Sequence, residues 1–189
     1  MRVAENAEKD QPATEENLWV GLKNSKSDVI LKTRVSSADI FKTPEMEGFK
    51  ETCLPVSLIL GFFLAKSRRY EYTKEEDLKT FHSTYKQLNL LQRYPKSLKG
   101  LKCLKTIYLA LTADLEMTVS GPFQLETIEK ICDYFEINCT VLSHENIMFK
   151  YPKIPNLSIP HVFLLFTRKE NEDIGHVDLI RNEDKFWKV

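Results

Sequence analysis

The chain has 189 residues, 42% of them hydrophobic, enough to bury one core and short enough to argue for a single domain with a tail. Its 27 basic and 27 acidic side chains cancel to zero formal charge, so the overall balance gives no electrostatic reason to expect nucleic acid or an anionic membrane as partner. The longest apolar stretch, Leu54 to Ala65, is interrupted by Pro55 and Gly61 and is too short to span a bilayer. The N-terminus carries no apolar signal core, and the expectation is a soluble intracellular protein, cytoplasmic or nuclear.

Residues 1–17 are polar and aperiodic, and the reading is a disordered tail. Residues 18–48 form an N-terminal arm whose short apolar runs, Leu18 to Val20 and Val29 to Leu31, fit either strands or an extended segment. From Leu54 to about Arg68 the pattern is helical, with Pro55 tolerated in the first turn. Apolar residues on nearly every face make this helix central. Thr73 to Glu76 matches a capping box and starts a more polar surface helix to about Leu91. A third helix runs from Ser97 to Leu115, its first turn weakened by Gly100. The loop from Val119 to Pro122 breaks the pattern, and an amphipathic helix resumes from Gln124 to Phe135.

Strands follow at Cys139 to Leu142, His161 to Thr167 and Val177 to Ile180, with a further one around Ile147 to Tyr151. The polar run Arg168 to Gly175 reads as a hairpin connection, making the last two main strands antiparallel. Helices first and strands later is an α+β pattern.

Two distant segments carry the candidate chemistry. Cys53 opens the central helix, where unpaired N–H groups and the positive end of the helix dipole favour thiolate over thiol. In the last strand the two-residue period puts His176 and Asp178 on one face, so that the carboxylate can orient the imidazole while the other ring nitrogen serves the sulfur. The competing explanations are a small thiol packed at a helix start and an edge strand with solvated polar residues. His82, His144 and His161 read as surface or strand-end residues, and none has a carboxylate two positions away on a strand.

Cys53, Cys103, Cys132 and Cys139 lack C-x-x-C spacing, which favours free thiols over zinc ligands or a redox pair. No phosphate-cradling glycine motif is present, so neither metal nor organic cofactor is expected. Glu183, Asp184 and Lys185 resemble the acidic clusters of metal-dependent nucleases superficially and read more simply as a solvated turn.

Four segments together resemble the ovarian-tumour (OTU) type of papain-like cysteine protease: Cys53 to Gly61, Ser120-Gly121-Pro122 with Glu126 and Ile128 following, Ile137 to Ser143, and His176 to Ile180. They are most similar to the OTU-like domain of Polinton/Maverick-type transposon polypeptides, found upstream of a protein-primed DNA polymerase. The resemblance covers Phe49 to Trp187, and the corresponding domain is taken as 49–189. It implies a Cys-bearing central helix packed with other helices on a small, mainly antiparallel sheet. It also implies a triad of Cys53 nucleophile, His176 base and Asp178 orienting acid, with the backbone N–H groups of Thr52 and Cys53 stabilising the oxyanion. The implied activity is deubiquitinase-like or polyprotein-processing, on ubiquitin, a ubiquitin-like protein or a polyprotein segment, with no membrane partner.

One departure stands out: OTU proteases usually carry Asp-Gly-Asn before the cysteine, and this chain has Lys50-Glu51-Thr52. It motivates the alternative of a catalytically silent OTU-like scaffold in a mobile-element or viral polypeptide. A third reading, a nucleic-acid module, rests on Lys96, Lys99, Lys102 and Lys105 at three-residue spacing, which a solvated helix face explains more simply.

Overall fold

A computed structural model describes residues 18–23, 30–35, 37–68, 75–143, 147–168 and 175–181. The tail at 1–17, Thr73 and Lys74 of the capping box, His144, and the cluster at Glu183, Asp184 and Lys185 lie outside the described residues. The described elements are, in order, β1 (Leu18–Lys23), β2 (Ile30–Val35), β3 (Ile40–Phe41), α1 (Cys53–Arg68), α2 (Glu75–Arg93), α3 (Leu98–Asp114), α4 (Glu126–Phe135), β4 (Asn138–Leu142), β5 (Ile147–Tyr151), β6 (His161–Thr167) and β7 (His176–Ile180). The class is α+β.

The helix α1 is central because its sequence leaves it no polar face: Val56, Leu58 and Ile59 are fully buried, and the helix contacts α2, α3 and α4 as well as β6 and β7. Phe63 stacks on Phe81 of α2, and Phe62 stacks on Phe135 of α4. The helix α2 is amphipathic, with Phe81, Leu88 and Leu91 buried and most of the other described positions half-buried or exposed. Ser97 caps α3 by accepting a hydrogen bond from the Gly100 N–H at 3.3 Å.

Gly100 is more than a weak point in that first turn. A Cβ there would come within 2.8 Å of Leu91, so the glycine is what allows α2 and α3 to approach closely. The propensity cost of glycine is local, whereas the gain comes from a neighbouring helix that helical periodicity alone does not reveal.

Five strands form one mixed sheet in the order β3-β7-β6-β4-β5. The pairs β3/β7, β6/β7 and β4/β5 are antiparallel, and β4/β6 is parallel. All of β4 and most of β6 are buried, β4 with its polar Asn138 and Thr140 hydrogen-bonded inside. Val141, Val162, Leu164, Val177 and Leu179 join the main core with α1, while Leu142, Phe163, Leu165 and Ile180 form a second cluster. The arm at 18–48 contains the antiparallel pair β1/β2 and also β3, and its Phe41 and Met46 enter the main core. No described helix is long and apolar enough to cross a membrane.

Candidate active site

Cys53 is the first residue of α1, and the Thr52 carbonyl accepts the Val56 N–H at 3.1 Å, so Thr52 occupies the cap. The residues one, two and three turns on from Cys53 along the same stripe are Ser57, Gly61 and Ala65, spaced by four and all buried. These small side chains let the helix lie close to the sheet. At Gly61 a Cβ would come within 2.5 Å of Val162 in β6 and 3.1 Å of Leu179 in β7.

In β7 the alternation is as the period of a strand dictates: Val177 and Leu179 are buried in the core, and His176 and Asp178 lie on the opposite side. His176 Nε2 is 2.8 Å from Asp178 Oδ1, with the imidazole half-exposed at 47% and the carboxylate shielded at 17%. The Cys53 thiol is the second group acting on the imidazole, near enough to favour its protonated form. With Nε2 taken by the carboxylate, Nδ1 is the ring nitrogen left to serve a thiol. The Asp178 hydrogen bond and then the Cys53 contact push His176 up to about 10, against a smaller opposing effect of burial. Burial pushes the Asp178 carboxyl up, but the His176 hydrogen bond and charge and the Thr43 N–H outweigh it and hold it below the usual carboxylate value. The three residues singled out in the sequence are therefore brought together.

The loop that leads into Cys53 is held by the Ser120-Gly121-Pro122 loop. The Gly121 N–H donates to the Lys50 carbonyl at 2.8 Å, and the Lys50 N–H donates to Ser120 Oγ at 3.1 Å. The approach is close enough that a Cβ on Gly121 would sit 2.4 Å from the Glu51 carbonyl oxygen. Tyr108, fully buried on α3, donates its hydroxyl to the Val119 carbonyl at 2.6 Å and so ties this second loop to the core. Glu51 itself has φ of 54°, the left-handed region that glycine favours.

Sequence reasoning missed Thr43 and Ser57. The Thr43 N–H donates to Asp178 Oδ1 at 2.8 Å, and the Thr43 hydroxyl lies 2.7 Å from Ser57 Oγ and 3.0 Å from the Val177 carbonyl. Ser57 had a legible signal, a hydroxyl in an apolar helix one turn after Cys53. Thr43 had none, because two of its three partners, Val177 and Asp178, lie more than a hundred residues away.

No family model, curated protein or solved structure matches the chain. Among the described residues there is no cluster of three or more His, Cys, Asp or Glu side chains arranged to hold a metal. All four cysteines are free, with Cys53 and Cys103 half-buried and Cys132 and Cys139 buried. His161 is not a surface residue: it is 4% exposed, its Nε2 lies 2.7 Å from Thr140 Oγ1, and its ring stacks on Phe163. A histidine placed at the start of a strand with both faces covered is drawn inside with it. His82 remains exposed on α2. Lys96, Lys99, Lys102 and Lys105 are all exposed, and Lys105 Nζ lies over the Phe49 ring at 5.5 Å from its centroid.

Proposed function

We propose that the chain is an OTU-like cysteine peptidase or isopeptidase with Cys53 as nucleophile, His176 as base and Asp178 as the group that orients it. The observation that carries this reading is the imidazole of His176 held by the Asp178 carboxylate at 2.8 Å, beside the Cys53 thiol at the start of α1. A nucleophile at a helix start, a base within reach and a third group fixing the base are the parts that covalent acyl transfer needs. The general α+β class is compatible with an OTU-like arrangement, and the short motifs from Cys53 to Ile180 support the family. The substrate class proposed is a flexible protein segment: ubiquitin, a ubiquitin-like modifier or a stretch of polyprotein, met inside the cell.

In this reaction His176 accepts the proton of Cys53, or holds it as an ion pair, and the sulfur attacks the carbonyl carbon of a peptide or isopeptide bond. The oxyanion is stabilised by the N–H groups of Thr52 and Cys53 at the start of α1. His176 gives its proton to the leaving amine as the C–N bond breaks, leaving a thioester on Cys53. Water then attacks the thioester with His176 taking its proton, the C–S bond breaks, and a carboxylate leaves. Asp178 keeps one ring nitrogen occupied throughout, so the other always faces the sulfur.

The rate of Cys53 alkylation at pH 6, read site by site by peptide mass spectrometry, tests this without a guess about substrate. Cys103, similarly half-buried, is the internal control. Cys53 is expected to react about tenfold or more faster than Cys103, whose thiol burial pushes up, and His176→Ala is expected to remove most of that difference. Equal rates in both proteins would leave the departure at Lys50-Glu51-Thr52 as the better guide and favour the silent scaffold. On any substrate that is turned over, Asp178→Ala should lower kcat less than Cys53→Ala does. An unchanged kcat in Asp178→Ala would remove the orienting role.

A further inference from the structure

The strand β3 ends at Phe41, which pairs with Leu179, so the same register continued by two residues would set Thr43 opposite Val177. Backbone pairing stops before that point, and Thr43 continues it by other means. Its N–H goes to the Asp178 carboxylate, while its hydroxyl takes the Val177 carbonyl that an edge strand would otherwise leave without a partner from this side. Ser57 Oγ, fully buried on α1, lies 3.2 Å from the same Val177 carbonyl and 2.7 Å from the Thr43 hydroxyl. Two hydroxyl protons thus serve three close contacts, and each group is satisfied whichever way the pair is oriented. The cluster ties three chain segments together at one point: the arm before α1, α1 one turn beyond Cys53, and β7 at the residue between His176 and Asp178.

We infer that Thr43, with Ser57, is a positioning residue that fixes the His176 and Asp178 strand against the helix bearing Cys53, so that the imidazole stays between carboxylate and sulfur. This rests on the reaction proposed above, but it concerns residues outside the triad. The groups whose charge reaches His176 are Asp178 on β7 and Cys53 on α1. Both are anchored within this cluster or one helical turn from it. Removing the Thr43 hydroxyl leaves Val177 to Ser57 alone and frees the Thr43 backbone, and with it the N–H on Asp178, to move.

The experiment compares wild type, Thr43→Val, Thr43→Ser and Ser57→Ala by two readouts: the NMR titration midpoint of the His176 imidazole and Cys53 alkylation at pH 6. Thr43→Val keeps the shape and loses the hydroxyl, whereas Thr43→Ser keeps the hydroxyl. The expected result is a lower His176 midpoint in Thr43→Val, with slower Cys53 alkylation, and values near wild type in Thr43→Ser. A merely structural role would lower the unfolding temperature of Thr43→Val and leave the midpoint where it was, which would overturn the inference. Ser57→Ala stands in if Thr43→Val does not fold, and an unchanged midpoint in whichever variant folds is likewise fatal. Should wild type and His176→Ala alkylate alike, the peptidase reading falls, and the His176 midpoint alone then decides the positioning role.

Discussion

At the scale of single residues, the loop before Cys53 is where this chain departs most from the pattern it resembles. The OTU sequence places glycine where this chain has Glu51, and Glu51 nonetheless takes the left-handed backbone at φ 54°. A non-glycine residue there costs roughly 1–2 kcal/mol, of which glycine would forfeit about 0.5–1 through its greater freedom when unfolded. Glu51→Gly is therefore expected to stabilise the protein by about 0.5–1 kcal/mol, raising the unfolding temperature by roughly 1–4 °C for a domain of this size. Calorimetry checks it, and a lowered temperature would mean that the glutamate side chain offsets its own strain. The strain is tolerated because Lys50 is bonded on both its N–H and its carbonyl to the Ser120 and Gly121 loop, so the backbone path is imposed from outside.

At the scale of elements, the site depends on how near α1 lies to β6 and β7. At Gly61 a methyl group has no space between Val162 and Leu179. Overpacking of this kind costs about 1–3 kcal/mol, against about 1 kcal/mol regained because alanine is the better helix former. Gly61→Ala should be net destabilising by up to about 2 kcal/mol in denaturant unfolding. Because Val162 is the obstruction, adding Val162→Ala should cost less in the Gly61→Ala background than in wild type, and strict additivity would locate the strain elsewhere.

The same interface shows why some of the structure was legible in advance and some was not. An apolar residue on almost every face of α1 announces a central helix, and the alternation at His176, Val177 and Asp178 announces the shared side of the two polar residues. The strand β3 is only two residues long and pairs with a strand far along the chain, so no local period marks it. Gly61 and Gly100 read as interruptions because propensity is counted within a helix, whereas each is set by a side chain from another element: Val162 for Gly61 and Leu91 for Gly100.

At the scale of the whole molecule, one core draws on α1 to α4 and on β3, β4, β6 and β7, so a charge pair at the rim is linked to global stability. His176 has its folded value raised to about 10 from an ordinary 6.5, so it remains protonated in the native state where the unfolded chain has released its proton. Its contribution is fully present below about pH 6.5 and is lost as pH rises toward 10. Asp178 acts in the opposite sense: its lowered value contributes stability above its ordinary 3.8 that is lost as pH falls through the folded value. The informative window is pH 6.5 to 8, below the range in which unfolded thiols and phenols begin to ionise and add their own dependence. Across it the denaturation midpoint of wild type should fall, because the native state binds the extra proton, and the midpoint of His176→Ala should fall less. Parallel curves for the two proteins would mean that the imidazole is not held in its charged form by Asp178 and Cys53. Such a result would weaken the arrangement on which the proposed chemistry depends, independently of any substrate.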